Sequence, residues 1–94
     1  MQSSAGTLSD HGAESATLTA ALTETTARLF VWPQRTDGLL WLHFQPGGAG
    51  AWIPMRVDGQ VTTLMVKSGD KVKASFDFNG DPAPAAKNYR LEIF

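Results

Sequence analysis

From residue 25 onward, apolar and polar side chains alternate along the chain, and glycine, proline, asparagine and aspartate interrupt the alternation at short intervals. In one segment, Val72, Ala74 and Phe76 alternate with Lys71, Lys73 and Ser75. A period of two is typical of half-buried β-strands. The pattern predicts six strands, at residues 27–32, 39–45, 51–57, 60–66, 71–78 and 88–94.

The links between these segments carry turn residues and no helical periodicity. Asp58-Gly59 predicts a two-residue hairpin joining segments 51–57 and 60–66, because a type I′ turn needs positive φ at both central positions. Pro54 lacks an N–H, which places its strand at an edge or a bulge. The predicted fold is therefore all-β, a small antiparallel β-sandwich or barrel of six to seven strands, jelly-roll or Ig-like.

Residues 1–24 have a different character, because serine, threonine, alanine and glycine dominate them. Leu8 is the one large aliphatic residue between Met1 and Ser15, too little to offset about 1–2 kcal/mol of backbone entropy per ordered residue. We expect residues 1–24 to form a flexible N-terminal arm and residues 25–94 to form the β-sandwich domain. Within residues 16–23, two leucines four apart fit a helix and three threonines fit a strand, so a seventh strand there stays open.

Several predicted strands are apolar on both faces. In the segment 27–32, Leu29 and Val31 point to one side and Phe30 and Trp32 to the other. Strands with two apolar faces are normally covered on both. We expect a second copy or another protein to provide that cover, the alternative being the N-terminal segment or a long loop. The candidate interface residues are Phe30, Trp32, Trp41, His43, Trp52, Leu64 and Val66.

The three tryptophans also fit a second class of function. Trp32, Trp41 and Trp52 lie on segments that pair readily in a small sheet, and aromatic side chains on neighbouring strands form stacking platforms for sugars. Tryptophan equally fills the cores and interfaces of small β domains. A carbohydrate-binding module is therefore the alternative to a protein-binding one.

Composition excludes several other classes. The 94 residues suffice for one domain, and eight basic against nine acidic residues give a net charge of −1, too little positive charge for nucleic acid. Without cysteine there is no thiolate nucleophile or Cys-ligated metal. The sequence has neither a secretory signal pattern nor about 18 consecutive apolar residues, so we expect neither export nor membrane insertion. His43 has no recognisable catalytic partner, so we expect no enzyme and no cofactor.

Residues 77–81 begin like a calcium loop. Asp77, Asn79 and Asp81 have the D-x-N-x-D spacing of an EF-hand. However, Pro82 stands where the sharp turn needs glycine, and Asn88 stands where a bidentate glutamate is expected. The three residues are a weak calcium candidate, and an Asx-type turn is the ordinary interpretation.

Taken together, the Ser/Thr/Ala-rich segment 1–24, the β unit 25–94, and strand sequences such as LLWLHFQ (39–45) and VKSGDKV (66–72) define a loose resemblance. The chain resembles small all-β accessory proteins of tailed-phage virions, such as capsid decoration proteins. The resemblance implies a non-enzymatic structural protein, often a homotrimer, that binds a capsid or tail lattice and is located in the virion or the host cytoplasm. The arm would then reach a neighbouring subunit.

Overall fold

The computed structural model describes residues 1–8, 13–32, 40–57, 61–76 and 87–94. These residues contain nine strands and one short 3-10 turn at Pro46–Gly48. The strands are β1 (Gln2–Leu8), β2 (Ala13–Glu14), β3 (Leu18–Thr19), β4 (Thr26–Trp32), β5 (Leu40–Gln45), β6 (Ile53–Arg56), β7 (Val61–Met65), β8 (Lys71–Phe76) and β9 (Lys87–Ile93). The six strands expected from the alternation correspond to β4 through β9.

Two antiparallel sheets form a β-sandwich, which confirms the predicted fold class. Sheet I has the strand order β1-β9-β4-β7. Sheet II has the order β2-β8-β5-β6, with β3 pairing along the same edge of β8 as β2. Strands that follow each other in the sequence therefore often belong to different sheets, and the chain crosses between the sheets several times.

The core lies between the sheets and follows the alternation. Sheet I contributes Leu29 and Val31 from β4 and Leu91 and Ile93 from β9, all almost completely buried. Sheet II contributes Leu40 and Leu42 from β5 and Val72 and Ala74 from β8. Phe44 is half-buried and packs against this cluster. The even-numbered positions of β5 therefore face the core.

A flexible arm over residues 1–24 is not confirmed. Gln2–Leu8 instead forms an edge strand that pairs with β9 along all seven residues, from Gln2 opposite Ile93 to Leu8 opposite Lys87. Leu8 is buried, while Ser3, Ala5 and Thr7 face solvent. The backbone ladder and a single anchoring leucine hold this strand, and such non-local pairing leaves little trace in local composition.

The ambiguous segment 16–23 contains a short strand. Leu18 pairs with Val72 and Thr19 with Lys71. Further support comes from backbone bonds beyond the strand, in which the Ala20 amide donates to the Asp70 carbonyl at 2.8 Å and the Gly69 amide donates to the Ala20 carbonyl at 2.9 Å. Among the three alternatives for this segment, the structure selects the strand.

The predicted Asp58-Gly59 hairpin is wrong. β6 pairs with β5 in sheet II, whereas β7 pairs with β4 in sheet I, so the two segments do not form a ladder with each other. Residues 58–60 themselves lie outside the described residues. The turn residues allow a reversal of the chain, but they do not determine whether the next strand stays in the same sheet.

Glu24 ties the start of β1 to the segment before β4. Its Oε1 accepts hydrogen bonds from the Ala21 amide and from the Gln2 side chain, both at 2.7 Å. Gln2 also donates to the Thr19 carbonyl at 2.5 Å. The Ala21 amide, and next the Gln2 amide group, hold the pKa of the Glu24 carboxyl below its ordinary value of 4.5.

This contact predicts an acid-sensitive contribution to stability. Because the pKa of Glu24 is lower in the folded than in the unfolded chain, its stabilising effect is complete above pH 4.5 and disappears as pH falls through the folded value. We expect Glu24→Gln to reduce the loss of urea resistance between about pH 7 and pH 3. Glu14→Gln, which changes an exposed carboxyl, is the matched control. An unchanged acid transition in Glu24→Gln would contradict this role.

Candidate functional site

The aromatic residues that the sequence singled out are divided between the two outer surfaces of the sandwich. Phe30 and Trp32 alternate with the buried Leu29 and Val31, so they lie on the outside of sheet I. Trp41 and His43 alternate with buried leucines of β5 and lie on the outside of sheet II. We call these two surfaces face I and face II.

The part of face I considered first is formed by the outward residues of β4 and β7. Register places Phe30 opposite Val61, Arg28 opposite Thr63 and Thr26 opposite Met65. Three large apolar side chains on this face are strongly exposed, with Trp32 at 44%, Val61 at 47% and Met65 at 70% of their surfaces accessible. Single exposed apolar residues are ordinary, but here Val61 lies opposite Phe30 and near Trp32, and Met65 extends the apolar surface toward the other end of the two strands. Such a surface indicates a binding site.

Arg28 gives face I a fixed cation. Its guanidinium carbon lies 4.4 Å from the centre of the Phe94 ring and 5.4 Å from that of Phe30. The Nε atom is buried, and it has no hydrogen-bond partner among the residues that the structure describes. Stacking on two rings restricts this long side chain before any partner arrives.

Two predicted interface residues belong to the interior instead. Val66 is 5% exposed, and Leu64 packs against the core. β7 has apolar residues on both sides, and a shift of one residue exchanges its two faces. No charged residue in β7 marks the solvent side. Val61 and Met65 therefore occupy the surface positions that the sequence analysis assigned to Leu64 and Val66.

Face II has a more polar character. The ammonium group of Lys73 lies 4.6 Å from the centre of the Trp52 ring and 3.1 Å from the Glu14 carboxylate. His43 Nε2 and Ser75 Oγ form a hydrogen bond of 2.5 Å. Trp41 lies opposite Ser75, at the other end of β5 from Trp52.

The His43–Ser75 pair has the atoms of a base and a nucleophile, but it lacks the exposure and the orienting carboxylate that catalysis by such a pair requires. Ser75 is only 7% exposed, so its hydroxyl is poorly placed to attack a substrate. The nearby Glu14 carboxylate is engaged by Lys73. The hydrogen bond therefore fixes the orientation of the His43 ring on face II rather than presenting an activated hydroxyl.

A single platform of three tryptophans does not form, since Trp32 is on face I and Trp41 and Trp52 are on face II. The calcium candidates Asp77, Asn79 and Asp81 lie outside the described residues. Among the residues that are described, no group of three or more histidine or acidic side chains is arranged to hold a metal ion. The same part of the chain contains no helix with the length and apolarity that crossing a membrane requires.

One cleft of about 400 Å³ lies at the end of β7, next to the short turn that follows β5. Its apolar walls are Phe44, Pro46, Met65 and Val66, and Lys67 and Asp70 form its polar end. Both carboxylate oxygens of Asp70 are occupied, one by the Gly47 amide and the other by the Lys67 amide, each at 2.8 Å. Asp70 therefore organises the loops around the cleft.

Comparison with known proteins gives no matching family model and no match among curated proteins. Among solved structures, one described as the crystal structure of FlhE is similar, with a TM-score of 0.45 and 17% sequence identity. The alignment covers 98% of this chain and 93% of that one. Function must therefore be argued from the residues of this chain.

Proposed function

We propose that this chain is a non-enzymatic structural or interaction protein that binds another protein through face I. The observation that supports this is the exposed apolar surface along β4 and β7, with Trp32 and Val61 near one end and Met65 at the other. Burying apolar surface contributes about 25 cal/mol per Å², and aromatic residues and methionine are enriched where proteins meet.

Arg28 strengthens this assignment. Tryptophan and arginine are among the residues that contribute most to binding energy at protein interfaces. Because Phe30 and Phe94 already restrain Arg28, less side-chain entropy remains to be lost on binding. Face I thus combines a rigid cation with exposed apolar groups.

The wider proposal is that the chain is a homo-oligomer attached to a larger assembly, such as a phage capsid or tail, in the virion or the host cytoplasm. Its support is the resemblance of the sequence to virion accessory proteins, with a trimer as the form which that resemblance favours. Face I supports the more general step, a protein partner. The carbohydrate alternative loses support because the tryptophans are on opposite surfaces of the sandwich.

Site-specific photo-crosslinking in the cells that make the protein tests this function. With benzoylphenylalanine in place of Trp32, we expect irradiation to join this chain to another polypeptide. The same substitution at Trp41, on face II, is the control and is expected to yield at least about fivefold less adduct. Adducts with a capsid or tail protein would support the wider proposal. Absence of any polypeptide adduct at position 32 would contradict the function proposed here.

A further inference from the structure

β7 is an edge strand of sheet I. It pairs with β4 on one side, and no described strand pairs with its other side. Its residues, Val61–Met65, include no charged side chain and no proline. Exposed strand edges without such protection are templates for pairing with another chain.

The direction of the backbone groups of β7 follows from one hydrogen bond. The Val66 amide donates to the Thr25 carbonyl at 2.8 Å, just beyond the end of the ladder with β4. Bonding alternates along an antiparallel pair, so Thr62 and Leu64 also direct their amides and carbonyls toward β4. Val61, Thr63 and Met65 consequently direct theirs away from the sheet.

Two other strands of four or more residues, β6 and β1, also lie at sheet edges. Just after β6, the Val57 amide donates to the Leu40 carbonyl, so by the same alternation the backbone of Pro54 in β6 faces outward, where proline offers no N–H. At the far edge of sheet I, β1 also directs backbone groups outward, at Ser3, Ala5 and Thr7. However, its alanine and glycine are weak strand formers, whereas β7 is rich in valine and threonine, and the Gln2 side chain joins the start of β1 to the Thr19 carbonyl. β2 and β3 have only two residues each.

We propose that β7 pairs with β7 of a second copy, antiparallel and about a two-fold axis at Thr63. This inference rests on the proposed role as an interaction protein and names a second copy as one partner. Thr63 then faces Thr63 of the second copy, and Val61 faces its Met65. Each facing pair exchanges two backbone hydrogen bonds, because all three residues direct their amides and carbonyls outward.

The sequence of β7 matches this arrangement. The facing side chains are Thr with Thr and Val with Met, so no like charges oppose each other. A shift of register leaves an outward amide without a partner. An antiparallel pair of identical strands is isologous and closes as a dimer, so this edge provides a two-fold contact. The β7 pairing is therefore an alternative to the trimer that the resemblance to virion accessory proteins favours. Sheet I of one copy and sheet I of the other then form one continuous sheet, and both copies of face I lie on the same side of it.

Proline substitution tests the edge directly. Thr63→Pro removes an outward amide that the monomer does not use, and proline is tolerated at such positions of edge strands. Ala5→Pro is the matched control in β1. The Thr26 amide donates to the Phe94 carbonyl, so the even-numbered residues of β9 bond to β4 and its odd-numbered residues bond to β1. These odd-numbered residues lie opposite even-numbered residues of β1, so the Ala5 amide points outward. Sedimentation velocity at about 50 μM is expected to give dimers for the original chain and Ala5→Pro, and monomers for Thr63→Pro.

Circular dichroism confirms which variants fold. If Thr63→Pro does not fold, Thr63→Glu replaces it: the new carboxylate lies opposite Arg28 within the monomer, but faces its own copy across the proposed axis. We expect at least a tenfold weaker dimer, about 1.4 kcal/mol.

A monomeric original chain, a trimer, or a dimer that survives in Thr63→Pro and Thr63→Glu would overturn the β7 pairing. The crosslink at position 32 tests the proposed function separately, because Trp32 lies on β4 and not on this edge.

Discussion

Deletion of residues 1–8 is expected to lower the free energy of unfolding by about 3–5 kcal/mol, and Tm by about 15–30 °C. The deletion removes β1 and its seven-residue pairing with β9. It also removes the buried Leu8 and the contact of Gln2 with Glu24. Because small domains have only about 5–15 kcal/mol of stability, this loss is a large part of the total.

Thermal unfolding followed by circular dichroism measures this effect. Thr7→Ala is the matched control, because Thr7 is exposed and its side chain donates one exposed hydrogen bond to Asn88. We expect the control to change the free energy of unfolding by no more than about 0.5 kcal/mol. A truncated chain with the same Tm as the full chain would show that residues 1–8 are a detachable arm after all.

The fate of β1 illustrates what the sequence can and cannot predict about this fold. Strands β4–β9 were predictable because alternating side chains report which side of each strand is buried. β1 was not, since its sequence QSSAGTL has one large apolar residue and its stability comes from a ladder with β9, at the other end of the chain. Likewise, Asp58-Gly59 indicates a reversal but carries no information about which strand β7 joins.

The candidate site shows the same division. Phe30 and Trp32 were identified as an apolar surplus, because Leu29 and Val31 already form a core-facing side for β4. In β7 the two sides are equally apolar, and only pairing with β4 places Val61 and Met65 outside. The unpaired edge of β7 could not be found at all from local sequence, because strand order determines which backbone groups lack partners.

The second large effect concerns Asp70. Asp70→Ala is expected to lower the free energy of unfolding by about 3–4 kcal/mol, because hydrogen bonds to charged groups contribute about 1.5–3 kcal/mol each and this carboxylate accepts two. Asp70 is 7% exposed, so water cannot readily replace it. The amides of Gly47 and Lys67, which lie in separate loops, would both lose their acceptor.

Asp70→Asn and Ser68→Ala separate the carboxylate from the rest of the turn. Asparagine keeps the shape and one acceptor oxygen, but its amide nitrogen would face one of the two backbone donors, so we expect an intermediate loss of about 2 kcal/mol. Ser68→Ala, at an exposed neighbouring position, is expected to change stability by less than about 0.5 kcal/mol. Urea unfolding of Asp70→Ala, Asp70→Asn and Ser68→Ala measures whether their losses of unfolding free energy follow this order.

Asp70→Ala is also expected to increase local motion, because Asp70 joins the two loops that border the cleft at the end of β7. Gly48, in the first loop, has a φ of +70° and lies so close to the second that an added Cβ would be 2.7 Å from the Gly69 carbonyl oxygen. Asp70 supplies one acceptor oxygen to each of the two loops. We therefore expect Asp70→Ala to increase hydrogen exchange at the Gly47 and Lys67 amides well before global unfolding. Unchanged exchange at both amides would mean that backbone packing alone protects them, and would contradict this role of Asp70.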